Sequence, residues 1–169
     1  MCAWGGSHVG KRTRFLASDG CFPSNVIYLE KFRRSRWLLQ QVHLLYVAED
    51  SLSNSNFNLL KNAVHAVNVV SDEEALTAAL GQQMPDIILI ESGLKWIDPV
   101  ALTCTLVQMT TAPLMMVCTK DTRKADRPGL LKRAFAVGLQ DTLHLPLRKE
   151  EVEEALEVLI KYRSVAISR

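Results

Sequence analysis

Three short, almost entirely apolar runs constrain the fold of this chain more than any other feature of its sequence. They are "VHLLYVAED" from Val42, "DIILIE" from Asp86 and "APLMMVCT" from Ala112. Apolar runs of this length are typical of strands buried on both faces, as in a parallel sheet. The segments "VHAVNVV" from Val64 and "QDTLHLPL" from Gln140 add two further strand candidates.

Segments with helical character separate these runs. "SDEEALTAALGQQ" carries Ser71 and Glu74 at capping-box spacing, and Gly81 is expected to end its helix. In "DPVALTCTLVQM", Asp98 suits the cap and Pro99 the first turn of another helix. A strand–helix alternation repeated five times predicts an α/β fold: a doubly wound, five-stranded parallel sheet of the flavodoxin type, in the order 2-1-3-4-5, with helices on both faces.

The organisation of the chain follows from composition and charge. Residues 1–41 hold seven Lys and Arg against two acidic residues, whereas residues 42–169 hold 13 against 16. Residues 1–41 therefore form a basic, largely irregular extension with one short helix candidate, Tyr28 to Gln41. Residues 42–163 form the domain, whose last helix is predicted to end at Arg163, and residues 164–169 form a tail or linker.

The basic extension has two interpretations. Three arginines could make a weak contact with an acidic surface such as lipid; they are Arg33, Arg34 and Arg36. Alternatively they belong to a solvated basic linker, which is the favoured interpretation of such a charge run. A nucleic-acid partner is not expected.

The cellular setting is predicted from cysteine use and hydropathy. The four cysteines form no CxxC pair, which favours a reducing, cytoplasmic location over a disulfide framework. The chain lacks an apolar run of about 18 residues, so no transmembrane segment is expected.

Polar residues follow the predicted strands, where the carboxyl ends of a parallel sheet form one rim. Glu49 and Asp50 follow the first strand, and Glu91 follows the third. Two further groups follow the fourth and fifth strands: Cys118, Thr119 and Lys120, and then His144, Leu145 and Pro146. Several carboxylates, a hydroxyl and a basic residue at one rim would ordinarily indicate Mg²⁺ and phosphate chemistry.

The order of "LLYVAED", "PDIILIE", "LMMVCT" and "AFAVGLQDTLHLP", followed by an amphipathic helix, resembles the receiver domain of response regulators. The resemblance covers about three quarters of the chain. It implies two acids after the first strand for Mg²⁺ and an aspartate after the third as phosphoryl acceptor. It also implies a Ser or Thr after the fourth strand, and a lysine directly before a proline after the fifth.

This chain departs from most of that pattern. The acidic pair falls on Ala48 and Glu49, or on Glu49 and Asp50 if the alignment shifts by one residue. Glu91 replaces the aspartate, Cys118 takes the hydroxyl position beside Thr119, and Leu145 replaces the lysine before Pro146. Glutamate is one methylene longer than aspartate, and leucine supplies no cation for a phosphoryl group.

The departures predict a degenerate pseudo-receiver that works without phosphorylation. Glu91 is then a rim carboxylate, paired with Lys95 or Lys120. No cofactor is expected, although Mg²⁺ held by Glu49, Asp50 and Glu91 stays open, as does an active, Mg²⁺-dependent phosphoacceptor receiver.

The resemblance also implies how such a domain works. It would be a regulatory, protein-interaction domain in intracellular signalling rather than an enzyme, with a protein partner or a fused output domain. The interaction face would include Arg127, Lys132, Arg133, Thr142, His144 and Glu150. The Leu145–Pro146 bond is expected to be cis, as in relatives.

A weaker resemblance links "AEDSLSNSNF", "PDIILIESGLKWIDPVAL" and "AFAVGL" to the N-terminal receiver-like region of eukaryotic cAMP-specific phosphodiesterases. That resemblance implies a regulatory region which precedes PAS and catalytic domains and does not itself hydrolyse cAMP.

Overall fold

A computed structural model describes residues 36–49, 54–119 and 127–167 of the chain. Five parallel strands form one sheet in the order β2-β1-β3-β4-β5, which confirms the predicted topology. The strands are β1 (His43–Val47), β2 (Ala66–Val70), β3 (Ile87–Glu91), β4 (Leu114–Cys118) and β5 (Asp141–His144).

Helices alternate with the strands, as the sequence predicts. They are α1 (Asn54–Ala63), α2 (Glu73–Gln82), α3 (Pro99–Met109), α4 (Arg127–Ala136) and α5 (Lys149–Ile167). The last helix was predicted to end at Arg163 but continues to Ile167. Of the predicted N-terminal helix, residues 36–39 are helical and the part before Arg36 lies outside the described residues.

The sheet separates two hydrophobic cores. One core packs β-strand residues against α1 and α5, represented by Leu60 and Leu156. The other packs the opposite face of the sheet against α2, α3 and α4, represented by Leu106 and Ala134. Because successive strand residues point to opposite faces, β3 and β4 bury side chains on both sides, which explains their continuous apolar sequences.

The ends of α2 differ from those predicted. Asp72, not Ser71, caps the helix: its Oδ1 accepts a hydrogen bond from the N–H of Ala75 at 2.8 Å. Gly81 does not end the helix, which continues to Gln82. A glycine in the last turn of a helix is tolerated when it is exposed, and a Cβ at Gly81 would have no atom within 4 Å.

Two other helix ends have a clear local cause. Asp98 caps α3, with its Oδ1 accepting from the N–H of Val100 at 3.2 Å and Pro99 in the first turn. After α4, Gly138 adopts a φ of 117°, a left-handed conformation that favours glycine. None of the helices in the described ranges is long and apolar enough to span a bilayer.

Candidate functional site

The carboxyl ends of the strands bring most of the predicted site positions to one rim. Ala48 directly follows β1, is buried in the core, and donates its N–H to the carbonyl of Val70 at 3.0 Å. An acidic side chain could not occupy this position without entering the apolar core. Glu49 is therefore the first carboxylate after β1 at the rim, and Asp50 lies outside the described residues.

Glu91 ends β3 and reaches across to the loop after β1. Its Oε2 accepts a hydrogen bond from the backbone N–H of Glu49 at 3.0 Å. The two residues are 42 positions apart, so this contact joins the ends of two neighbouring strands. Because the acceptor is a carboxylate, the bond is of the stronger, charge-assisted kind.

Glu49 in turn contacts the loop after β3. Its Oε2 accepts from the backbone N–H of Lys95 at 2.7 Å, and its Oε1 lies 3.6 Å from Lys95 Nζ. The sequence predicts Lys95 or Lys120 as a partner of Glu91. In the structure Lys95 forms this ion pair with Glu49, and Lys120 lies outside the described residues. Because the Lys95 side chain is 79% exposed, the ion pair itself is weak. The short backbone contact fixes the glutamate more firmly.

Ser92 joins the ends of β3 and β4. Its Oγ accepts from the N–H of Thr119 at 3.1 Å, and its own N–H donates to the carbonyl of Val117 at 2.9 Å. A Cβ on Gly93 would lie 3.2 Å from Thr119 Oγ1, so the loops approach closely there. Cys118, at the predicted hydroxyl position, is fully buried, and the half-buried Thr119 is the hydroxyl residue at this edge.

The loop after β5 supplies an apolar side chain. Leu145 donates its N–H to the carbonyl of Cys118 at 3.1 Å, and its side chain packs on the core under α1 and α5. The Leu145–Pro146 bond is cis, as expected from the sequence. The loop is fixed further by Asn56 of α1, whose Oδ1 accepts from the buried N–H of Leu147 at 3.2 Å. The sequence analysis missed Asn56 because its partner is 91 positions away.

A second residue missed by sequence reasoning is Tyr46 of β1. Its side chain is 1% exposed, and its buried hydroxyl has no hydrogen-bond partner among the described residues. Burial, and secondarily the negative charge of Glu91, raises the pKa of the Tyr46 hydroxyl well above its usual range. A polar tyrosine in an otherwise apolar run ending in acids was the available sequence signal.

Solved structures of response regulators share this architecture. FixJ from B. japonicum aligns with 76% of this chain at 18% identity and a TM-score of 0.64. The receiver domain of the TMAO respiratory regulator TorR aligns with 72% at 20% identity and a TM-score of 0.59. A probable two-component response regulator/GGDEF domain protein aligns with 83% at 19% identity and a TM-score of 0.70.

The chain has the receiver-domain fold. It spans 98% of the TorR receiver domain but only 62% of FixJ and 58% of the GGDEF protein. No family model and no curated protein matches the sequence. At these identities the likeness establishes the fold alone.

A magnesium site of the receiver type would need the rim carboxylates. Glu91 and Glu49 are neighbours, but one oxygen of Glu91 and both oxygens of Glu49 already contact the protein. Within the described ranges no three His, Cys, Asp or Glu residues are placed to hold a metal ion. Since Asp50 lies outside these ranges, the three-carboxylate prediction remains a prediction.

The predicted interaction face of the receiver fold lies around β5, at the edge of the sheet. Thr142 and His144 of β5 line a groove of about 350 Å³ together with residues of α5 such as Glu151 and Val158. Three further residues of the predicted face are exposed on α4 and α5: Lys132, Arg133 and Glu150. Arg127 begins α4, and its side chain is not among those described.

Proposed function

We propose that this domain is a pseudo-receiver: a receiver fold that regulates through protein contacts and does not depend on phosphorylation. The observation that carries the proposal is the hydrogen bond between the Glu91 carboxylate and the N–H of Glu49. The side chain at the phosphoacceptor position thereby serves as a structural link between β3 and the loop after β1.

The geometry of Glu91 disfavours phosphoryl transfer. This reaction depends on accurate positioning of the nucleophile and on neutralisation of the phosphoryl charge. The extra methylene of glutamate displaces the carboxylate by about 1 Å, an error that can lower a rate on the order of 100-fold. Phosphorylation would also break the contact with the Glu49 N–H or compete with it.

The loop after β5 adds a second, independent argument. A receiver that accepts phosphate needs a cation at the position before the proline, and Leu145 has no donor or charge. Its side chain instead packs on the core, so the loop is held by apolar contacts and by the backbone bond to Cys118. A phosphoryl group at Glu91 would therefore lack the counter-charge that this loop supplies in the family pattern.

A regulatory role through protein contacts is consistent with the comparisons. The GGDEF protein, as its name states, combines a response regulator with a second domain, and this chain spans 58% of it. The corresponding partner here is a protein or a fused output domain that contacts the face around β5, α4 and α5. The protein itself is then regulatory rather than catalytic.

The test is a titration with beryllofluoride and Mg²⁺, followed by two-dimensional NMR of the backbone amides. Beryllofluoride mimics an acyl phosphate and should leave the amides of Glu91, Ser92 and Thr119 unshifted. A variant carrying Glu91→Asp and Leu145→Lys is the matched control, because it restores the carboxylate length and the cation; it should respond more strongly. Saturable shifts at Glu91 and Thr119 in the unaltered protein would instead establish an active receiver.

The link to cAMP-specific phosphodiesterases remains a prediction from the weaker resemblance. The genomic sequence that follows the codon for Arg169 tests it directly. Coding sequence for a PAS domain and a metal-dependent phosphodiesterase domain is the expected result. Any other output domain there would reject the phosphodiesterase prediction but would leave the pseudo-receiver proposal intact.

A further inference from the structure

We propose that the exposed edge of β2 pairs antiparallel with β2 of a second copy of this chain, about a two-fold axis at Asn68. This pairing would join the sheets of the two copies into one continuous sheet. β2 lies at the opposite edge of the sheet from β5, and the proposal does not depend on the pseudo-receiver argument.

β2 is an edge strand whose outer side is open. In the sheet formed by the described residues it pairs with β1 alone, and Asn68 is exposed while Val67 and Val69 are half-buried. Its sequence, AVNVV, has no charged residue and no proline, which are common means of protecting an edge. The other edge strand, β5, begins with Asp141 and is followed closely by Pro146. β2 is therefore the edge that is suited to accept another strand.

The hydrogen bonds to the neighbouring strand fix which backbone groups of β2 face outward. The N–H of Ala66 donates to the carbonyl of the residue before β1 at 3.3 Å, and the carbonyl of Val70 accepts from the N–H of the residue after β1 at 3.0 Å. Alternate residues of a strand direct their backbone groups to opposite sides, so Ala66, Asn68 and Val70 face β1. The N–H and carbonyl groups of Val67 and Val69 therefore point away from the sheet.

The sequence of β2 is symmetric about Asn68, because a valine stands on either side of it. In an antiparallel pair with the two-fold axis at Asn68, Val67 of one copy lies opposite Val69 of the other. Because the backbone groups of these valines point outward, each such pair would exchange two hydrogen bonds. The two Asn68 side chains would meet at the axis, where an amide can both donate to its equivalent and accept from it. The edge is therefore complementary to itself.

The charges at the two ends of β2 favour this antiparallel pairing. Before the strand, Lys61 is exposed in the last turn of α1, and His65 is exposed as well. After the strand, α2 begins with the exposed acidic residues Glu73 and Glu74. Antiparallel pairing places the start of one strand beside the end of the other, so a basic end meets an acidic end on both sides of the axis. A parallel pair would bring like charges together instead.

The neighbouring helices leave apolar surface uncovered on both faces of β2. On the side of α2, a groove of about 300 Å³ lies beside the strand, lined by residues such as Asn68, Ala79 and Gln82. No Lys, Arg, Asp or Glu is among the described residues that line it. On the other face, Val67 and Val69 are only partly buried against the core beneath α1 and α5. A second copy would therefore cover apolar surface there without burying a full charge.

The experiment is sedimentation velocity of the full chain over a wide range of protein concentration. A strand edge is smaller than a standard interface of roughly 1,600 Å², so we expect a weak dimer whose fraction rises with concentration. Asn68→Lys should weaken the dimer about fivefold or more, because two like charges would meet at the axis. Added salt should also weaken it, because salt screens the charges at the strand ends.

Thr105→Lys is the matched control for the added charge. It places a lysine at an exposed position of α3, away from the edge of the sheet, and should leave the dimer unchanged. Urea unfolding of Asn68→Lys, followed by circular dichroism, should match that of the unaltered protein at low concentration. This measurement separates loss of the dimer from loss of the fold.

Cross-linking tests the position of the axis. Residues that face each other in a non-hydrogen-bonded antiparallel pair have Cα atoms about 4.5 Å apart, which is within the reach of a disulfide. Under mild oxidation, Asn68→Cys should therefore form more covalent dimer than the unaltered protein does. Asn62→Cys, at the exposed end of α1, should not, because the two copies of this residue would lie at opposite ends of the interface.

Three results would overturn the proposal. They are a protein that stays monomeric at every concentration, a dimer that Asn68→Lys leaves unchanged, and equal amounts of covalent dimer from Asn68→Cys and Asn62→Cys. Each outcome is separate from the beryllofluoride result, so the two proposals stand or fail independently.

Discussion

The unpartnered hydroxyl of Tyr46 allows a direct test of how the sheet accommodates a polar atom beside the rim. Tyr46→Phe removes that oxygen and leaves the buried ring in place. In the unfolded chain the hydroxyl is hydrated, whereas in the folded protein it has no partner among the described residues. Since burying an unpaired hydroxyl costs about 1–3 kcal/mol, the variant should be about 1 kcal/mol more stable at neutral pH.

The stability gain should grow in alkaline solution. Burial and the charge of Glu91 raise the pKa of Tyr46 above its ordinary value of 10.0. As the pH rises past about 10, the unfolded state loses this proton while the folded state retains it, so folding becomes less favourable. At pH 11 this linkage should cost the unaltered protein about 1.4 kcal/mol that Tyr46→Phe does not lose.

Urea unfolding followed by circular dichroism at neutral pH and at pH 11 measures both effects. Thr103→Val is the matched control, because Thr103 is also fully buried but its Oγ1 donates to the carbonyl of Pro99 at 2.7 Å. Losing that bond should destabilise the protein by about 1 kcal/mol. If Tyr46→Phe is destabilised like Thr103→Val, the hydroxyl is hydrogen-bonded in the folded protein. If its advantage does not grow with pH, the hydroxyl ionises as easily in the folded as in the unfolded protein and is therefore not buried away from water. Either result would contradict the reasoning.

Three further substitutions test the rim and the helix ends through the free energy of unfolding. Glu91→Ala should cost about 1.5–3 kcal/mol, because the N–H of Glu49 loses a charged acceptor. The control Glu154→Ala, on the exposed side of α5, should cost less than about 0.5 kcal/mol. Equal costs would contradict a linking role for Glu91. Gly138→Ala should cost about 1–3 kcal/mol, because its φ is 117° and the new Cβ would lie 2.8 Å from a methyl of Val107; a neutral effect would show that the turn relaxes. Asp98→Ala should lower stability by about 1 kcal/mol through loss of the α3 cap, and thermal unfolding that is unchanged would argue against the cap.

The sequence predicted the sheet well because burial on both faces leaves a simple pattern. Helices cover both faces of β3 and β4, so the apolar residues of these strands do not alternate with polar ones. This pattern is typical of central strands, and it allowed both to be identified from the sequence. The helix ends were less certain. Ser71 and Asp72 are adjacent and both suit a cap, and the folded helix decides between them through the hydrogen bond from the Ala75 N–H to Asp72.

The rim was predicted in composition but not in connectivity. Glu49 and Glu91 were both expected at the rim. Each accepts a hydrogen bond from a backbone N–H that is more than 40 positions away in the sequence, so the sequence alone does not show which groups pair. Asn56 was overlooked for the same reason, since an asparagine in a polar helix carries no local sign of a distant backbone partner. Long-range hydrogen bonds of this kind follow from the assembled loops and not from local sequence patterns.

The division of the molecule by its sheet has a practical consequence at β4. Met115 and Met116 are consecutive and fully buried, but Met115 belongs to the core beneath α1 and α5 and Met116 to the core beneath α2, α3 and α4. Their ε-methyl groups are therefore neighbouring NMR probes that sense opposite halves of the interior. A protein that docks against α1 or α5 should perturb the Met115 resonance more, and one that docks against α2, α3 or α4 should perturb that of Met116 more.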